Sequence, residues 1–169
     1  MDNHRSLSQA FDNLTLAERA NSFFARFPTF ALDSTALIDD EFDRLATEQG
    51  WARNSTPYRR NRNRCLIEEF VARFGTVGGA SKLEKWQELC DEVGMEDVPN
   101  SITQCKKALN SVNVNLVDLI NARRAGESVK CFRTRKELVT YTRKTPGKIF
   151  PKELAKQDGF IRALLVQLY

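Results

Sequence analysis

The chain has 169 residues, of which 41% are apolar and 28% charged, with 11 Phe and 2 Trp. This length fits one compact domain that buries roughly 70% of the surface its unfolded chain would expose. The apolar content is too high for a disordered chain, and charges are too frequent for a membrane protein. We therefore predict a single globular domain.

Two further features of the sequence bear on location. Nowhere do about 18 apolar residues run together, as a membrane-spanning helix requires, and residues 1–13 contain no stretch apolar enough for a secretory signal. The expected location is therefore intracellular, cytoplasmic or nuclear, with no membrane partner. Residues 1–13 are expected to form a flexible N-terminus, and residues 14–169 a helical domain.

Helix start and stop signals alternate along the chain. A capping Ser or Thr is followed three residues later by Glu or Gln at four places, which are Thr15/Glu18, Ser81/Glu84, Ser101/Gln104 and Thr134/Glu137. Helices should end in the left-handed conformation at four glycines, which are Gly50, Gly75, Gly94 and Gly126. These signals predict an all-α fold, a single compact domain of seven or eight helices.

The predicted helices follow one another closely in chain order. They cover residues 15–26, 36–49, 56–74, 81–93, 101–111, 115–125, 134–143 and 151–168. The spacing of Leu83, Trp86 and Cys90 predicts one buried stripe of a helix, in which Trp86 is a core residue. Residues 145–148, with the sequence Thr-Pro-Gly-Lys, are typical of a type II turn.

Two short segments also favour extended structure. Residues 112–116 alternate apolar and polar side chains, and residues 138–142 are rich in residues common in strands. We expect the first segment to be an extended connector in which Asn113 or Asn115 caps the next helix. The second segment is predicted to be helical because a capping box precedes it.

Residues 42–51 and 86–95 share an aromatic residue, Leu, Glu, Gly and a large apolar residue at equal spacing. A Ser-capped basic segment follows each copy, at Ser55 and Ser101. This similarity is consistent with two related helix-pair units. The alternative is that amphipathic helices ending in Gly look alike without any duplication.

The sequence offers few groups for catalysis. His4 is the only histidine, and the four cysteines, Cys65, Cys90, Cys105 and Cys131, form no C-x-x-C pair. We expect the cysteines to be reduced and mostly buried. Residues 39–41 and 68–69 are acidic, and we interpret them as solvated helix faces rather than metal ligands. No catalytic residue, cofactor or metal site is predicted.

Charge is distributed unevenly along the chain. Residues 1–50 carry a net charge of −5, whereas residues 51–169 carry +9. Such asymmetry attracts nucleic acids or acidic protein surfaces, and it concerns partners rather than fold. An alternative is that the acidic N-terminal third folds against the basic region and masks it.

The first basic segment covers residues 53–64 and contains no acidic residue. Its cations are Arg53, Arg59, Arg60, Arg62 and Arg64. Extending the apolar stripe of the following helix backwards brings Arg59 and Arg60 onto the buried face, where unpaired charges are costly. We therefore expect these first turns to project from the packed body or to bind a partner. A solvated helix start is the alternative.

The second basic segment covers residues 130–156, with a net charge of +7. Its candidate partner-binding residues are Lys130, Arg133, Arg135, Lys136, Tyr141, Arg143, Lys144, Lys148 and Lys152. Aromatic residues among cations suit phosphate groups and base stacking. Phe132 and Phe150 are expected to be core anchors, which leaves Tyr141 as the better candidate for contact.

A longer pattern runs through residues 22–168. It includes Glu41-Phe42, Gly50-Trp51, Trp86-Gln87-Glu88-Leu89-Cys90, Pro99-Asn100-Ser101-Ile102, Cys105-Lys106-Lys107, Val112-Asn113-Val114-Asn115-Leu116-Val117-Asp118-Leu119, Leu138, Tyr141-Thr142 and Phe150-Pro151-Lys152. This pattern resembles a family of small proteins of unknown activity from filamentous fungi. The resemblance implies a eukaryotic, fungal, intracellular protein, and it carries no enzymatic activity over to this chain.

The functional prediction is a non-enzymatic helical interaction module. Its basic C-terminal two-thirds would dock an acidic protein partner, with an apolar anchor among exposed aromatic residues. The alternative is a nucleic-acid-binding protein that uses the same Arg and Lys segments. A third hypothesis is an enzyme that works without histidine chemistry.

Overall fold

The computed structural model describes residues 20–75, 82–152 and 163–164. Within these ranges a 3-10 helix, Phe23–Arg26, precedes six α-helices and two short strands. The helices are α1 Ile38–Glu48, α2 Thr56–Phe74, α3 Lys82–Glu92, α4 Ile102–Leu109, α5 Leu116–Ala125 and α6 Arg135–Lys144. The strands are β1 Asn113–Val114 and β2 Cys131–Phe132, and they pair in antiparallel orientation. The all-α class is confirmed.

The number of helices is not confirmed as seven or eight. The predicted helices at 15–26 and 151–168 lie mostly outside the described residues, and so does the predicted flexible segment 1–13. The described end of the first of them, Phe23–Arg26, is a 3-10 helix rather than an α-helix. The remaining six predicted helices agree with α1 to α6 to within a few residues.

The predicted caps account for most helix ends. Ser101 accepts a hydrogen bond from the backbone N–H of Gln104, and Thr134 accepts one from that of Glu137. Asn115 caps α5 by accepting hydrogen bonds from the N–H groups of Val117 and Asp118. The sequence predicted a cap at either Asn113 or Asn115. The boxes at Thr15 and Ser81 lie outside the described residues.

Gly75 ends α2 differently from the other predicted helix stops. Gly50, Gly94 and Gly126 have the expected positive φ, but Gly75 has φ −69° and ψ 171°, which is extended backbone. The left-handed prediction is therefore wrong at this position. A Cβ at Gly75 would lie 2.3 Å from the carbonyl oxygen of Val71, so close backbone approach explains the glycine.

The turn after α6 packs against α1. Lys148 N–H donates to Thr145 O at 3.4 Å, and Gly147 has φ +79°, as the type II turn predicted. A Cβ on Gly147 would lie 2.7 Å from Asp39 Oδ2. The turn thus brings the end of α6 against the acidic start of α1.

The core is rich in aromatic side chains. Helices α1, α2 and α5 contact one another, α3 packs on α4, and α6 packs on the two strands. Phe23 contacts Phe42, and Phe70 contacts Phe150, with ring centres 6.2 and 6.0 Å apart. Trp86 and Phe150 are buried as predicted. The thiols follow the prediction at Cys65, Cys90 and Cys105, which are buried, whereas Cys131 is exposed.

Residues 42–51 and 86–95 end their helices in the same way. Trp51 N–H donates to Ala46 O at 2.8 Å, and Met95 N–H donates to Cys90 O at 3.1 Å. The helices that follow differ in length, with 19 residues in α2 and 8 in α4. The similarity therefore covers a helix end, and duplication of a helix pair stays a prediction.

The expectation of solvated acidic faces is wrong for Glu41 and Glu69, which are 4% and 0% exposed. Glu69 accepts hydrogen bonds from the Ser22 hydroxyl and, at 2.8 Å, from the Phe23 N–H. Glu41 accepts from the Asp33 N–H at 2.9 Å. Both carboxylates satisfy backbone donors of the segment that precedes α1, which explains their burial.

Glu69 belongs to a buried ionic cluster, which we define as Glu69, Arg73 and Arg124. Arg73 forms an ion pair with Glu69, and Arg124 Nη1 lies 4.0 Å from Glu69 Oε2. Arg124 also donates to the carbonyl oxygens of Asp33 and Ala36, each at 2.6 Å. Burial and the nearby Arg73 charge lower the pKa of Arg124. The cluster ties residues 22–36 to α2 and α5.

Candidate functional site

Acidic residues of α1 pair with two of the five arginines of the first basic segment, and only Arg62 of these two is largely buried, since the Arg53 side chain is 76% exposed. Arg62 donates to Asp39 Oδ1 through Nε and Nη2, at 3.0 and 2.7 Å, and to Gly147 O at 2.8 Å. Its side chain is only 18% exposed. Arg53 pairs with Asp43 at 2.8 Å. Arg62 is therefore an internal contact between helices rather than part of an open surface, as the masking alternative anticipated.

Tyr58 occupies the buried position in the first turns of α2. Its hydroxyl donates to Asp43, and burial together with that carboxylate raises the pKa of Tyr58. The sequence analysis missed this residue, although its spacing of eight from Leu66 places it near the same helix face. Tyr58 replaces the arginines on the buried stripe, so the first turns pack on α1 instead of projecting.

Three arginines of this segment remain exposed at the surface of α2. Arg64 pairs with Glu68 at 2.8 Å, one helical turn away. Arg59 and Arg60 are exposed and form no ion pair with any other described residue. A surface pair such as Arg64–Glu68 contributes little and leaves the cation accessible. The first segment thus retains a small positive surface.

The second basic segment also has internal members. Lys148 pairs with Asp118 at 2.6 Å, and its side chain is 17% exposed. Lys152 is exposed, and it interacts within the protein. We therefore exclude Lys148 and Lys152 from the open surface considered below.

Six cations of the second segment form what we call the α6 basic surface. Each is exposed, and none forms an ion pair with another residue in the described ranges. Lys136, Thr140 and Arg143 follow one another on one face of α6, while Leu138 and Thr142 are buried on the other. Glu137 is the only acidic residue between positions 130 and 144. The members of the surface are Lys130, Arg133, Arg135, Lys136, Arg143 and Lys144.

A cavity of about 500 Å³ opens within this surface, and we call it the β2–α6 groove. The rings of Phe132 and Tyr141 line it, with centres 4.9 Å apart. Lys130 Nζ lies 5.0 Å from the centre of the Phe132 ring. Phe132 is half-buried, so it is only in part the core anchor that was expected. The described residues that line it are Lys130, Cys131, Phe132, Arg133, Lys136, Glu137, Thr140 and Tyr141.

Asp118 holds Tyr141 in place from behind the groove. Burial, together with a hydrogen bond to the Asp118 carboxylate, raises the pKa of Tyr141 to about 12. The same carboxylate accepts the Lys148 ammonium at 2.6 Å. Lys148 and Tyr141 therefore share the Asp118 carboxylate. Because its hydroxyl is engaged there, Tyr141 presents its ring rather than its hydroxyl to a ligand.

Cys131 gives the groove an intrinsic chemical reporter. Its thiol donates to Val93 O at 3.4 Å, and partial burial raises the pKa of Cys131. A thiolate-specific disulfide reagent should modify one of the four thiols in the folded protein, because the other three are buried. The reaction should be slow at neutral pH and should still accelerate above the ordinary thiol pKa of about 8.5, since the thiolate is the reacting form and the pKa of Cys131 is raised.

The measurement is stopped-flow absorbance against pH, with the protein in denaturant as the control, where all four thiols should react. Equal reactivity of two or more thiols in the folded protein would contradict the assignment. Absence of any reaction in the folded protein at high pH would contradict it as well, because Cys131 would then be covered.

The described residues contain no group of three or more His, Cys, Asp or Glu side chains arranged to hold a metal ion. Nor does any helix in the described ranges have the length and apolar character needed to cross a membrane. That the chain uses neither metal nor cofactor stays a prediction. No family model matches the chain, and no curated protein or solved structure matches it either.

Proposed function

We propose that this protein is a non-enzymatic interaction module whose α6 basic surface docks an acidic protein partner. The observation that carries the proposal is the group of six exposed cations between positions 130 and 144, three of which line a groove together with two aromatic rings. Carboxylates of a partner would face the cations, and an apolar side chain would enter the groove as an anchor. A fungal origin and a cytoplasmic or nuclear location belong to the same proposal and rest on the sequence.

One feature favours a protein over a nucleic acid. A nucleic-acid backbone needs a continuous run of accessible cations, whereas Arg62 of the first segment is only 18% exposed and pairs with Asp39 of α1. Nucleic-acid binding by the same Arg and Lys segments is therefore the second candidate.

Salt dependence separates the two candidates. The probes are an acidic polypeptide with scattered Phe residues, duplex DNA, single-stranded DNA and RNA, each measured by fluorescence anisotropy between low and physiological salt. Phosphate binding weakens log-linearly and steeply with salt, whereas an anchored protein interface loses mainly association rate. We expect the polypeptide to retain binding when salt removes the nucleic acids. Nucleic acids that bind tightly while the polypeptide does not would overturn the proposal.

Charge reversal tests which surface is used. The double variant Lys136→Glu with Arg143→Glu should weaken polypeptide binding by about tenfold or more, because each rim cation contributes on the order of 1 kcal/mol. The matched control is Arg60→Glu with Arg64→Glu on α2, which changes the net charge equally and should have a smaller effect. Both variants should unfold at nearly the wild-type temperature, since all four side chains are exposed. A larger loss in the control would place the site on α2.

A further inference from the structure

The β2–α6 groove has a strand on one side and a helix on the other. Lys130, Cys131, Phe132 and Arg133 line the first side, and residues 136–141 of α6 contribute to the second. No residue of β1 lines the groove, although β1 pairs with β2. The groove thus lies between β2 and α6, and β1 takes no part in its described lining.

The edge of β2 away from β1 has backbone groups that the pairing of the two strands does not use. In an antiparallel pair, alternate residues direct their N–H and C=O groups towards the partner strand and away from it. Because β2 pairs only with β1 within the described residues, either Cys131 or Phe132 directs these groups away from β1. The Phe132 carbonyl oxygen already accepts from Asn113 Nδ2 at 3.3 Å, which leaves the Cys131 carbonyl oxygen as the acceptor for a partner. An extended segment can bind such an edge through its own backbone.

The size of the groove favours an extended segment over a helix. A volume of about 500 Å³ accommodates one or two large side chains. A docked helix would instead need an apolar surface that meets side chains over two or more turns. In a strand, side chains on one face recur about every 6.8 Å, so a single residue can enter the groove while its neighbours reach the rim.

We propose that the partner contributes an acidic segment that binds as an additional strand beside β2. This inference rests on the proposed function and specifies its mode of binding. One apolar side chain of the segment packs on Phe132 and Tyr141, and carboxylates at alternate positions meet Lys130, Arg133 and Lys136. The partner residue next to Glu137 is not acidic, because like charges would repel there.

The test uses a blocked heptapeptide with Glu at its four odd positions and Thr, Phe and Thr at the even ones. A second peptide replaces Phe with Ala. Two further peptides carry backbone N-methyl groups, one at the odd and the other at the even positions, so that each loses the donors of one strand edge. Binding to the full-length protein is measured by fluorescence anisotropy, and by the shifts of the Cys131 and Phe132 amides in two-dimensional NMR spectra.

We expect one N-methylated peptide to bind about fivefold more weakly, because the one lost backbone hydrogen bond costs on the order of 1 kcal/mol. The other should bind as the unmodified peptide does, and replacement of Phe with Ala should also weaken binding. If both N-methylated peptides bind like the parent, or both weaken equally, the strand arrangement is wrong while docking of an acidic partner stands. If no acidic peptide binds even at low salt, the proposed function and this inference fail together.

Discussion

Replacing Glu69 with Gln is expected to lower the free energy of unfolding by about 3–5 kcal/mol. The change removes the negative charge of the buried ionic cluster and leaves Arg73 and Arg124 buried without a counterion. It also weakens the acceptor that holds the Ser22 hydroxyl and the Phe23 N–H. Chemical denaturation monitored by circular dichroism measures the effect.

Glu68→Gln is the matched control for this substitution. Glu68 is the neighbouring residue, and it pairs at the surface with Arg26 and Arg64, whose side chains are 41% and 55% exposed. Surface pairs contribute about 0–1 kcal/mol, so this variant should remain close to the wild type. Equal losses for the two variants would contradict a structural role for the buried ionic cluster.

Trp86→Ala is expected to lower the free energy of unfolding by about 3–5 kcal/mol, because it empties a large core position. Trp86 is 2% exposed, and it lies on α3 at the contact with α4. Lys106 of α4 places its Nζ 5.2 Å from the ring centre, which adds a cation–π contact. The measurement is again equilibrium denaturation.

The same substitution at the other tryptophan provides the control. Trp51 is half-buried and packs on Phe42 and Phe27, with ring centres 6.1 and 5.9 Å away. Trp51→Ala removes less buried area and should therefore cost less. A Trp86→Ala variant that is as stable as the wild type would contradict close packing of α3 on α4.

Local signals were sufficient to predict most helix boundaries. Caps such as Ser101 and Asn115 bind backbone N–H groups within three residues of themselves, so the local sequence is enough to predict them. The turn at Gly147 follows in the same way from Pro146 and the glycine. Gly75 differs from the other helix stops because it allows close approach to Val71. A glycine at a helix end does not by itself distinguish a left-handed stop from such a close approach.

Pairings between distant residues could not be predicted. Glu69 meets Ser22 across 47 positions, and β2 meets β1 across nearly 20. The alternation at residues 112–116 favoured extended structure at β1, but no sequence signal marked β2 as its partner. A buried carboxylate and a solvated one have the same local sequence, since burial depends on which donors the fold brings near. The 3-10 helix and the ionic cluster had to be read from the structure.

The candidate site also has features that the sequence predicted and features that it could not predict. The charge run at 130–156 predicted an accessible positive surface, and the cations of α6 are exposed as helical spacing allows. Arg62 and Lys148 looked identical to the other cations in the sequence, yet Asp39 and Asp118 pair with them from other helices. The groove itself depends on the approach of β2 to α6, which no local pattern indicates.

The most direct test of the proposed docking surface maps where an acidic polypeptide binds. The measurement is a titration of the isotope-labelled, full-length protein, followed by the amide shifts in two-dimensional NMR spectra. The largest shifts are predicted at residues 130–144, with small ones at residues 59–64. Shifts centred on α2, or spread evenly over the described residues, would contradict the assignment of the α6 basic surface as the docking site.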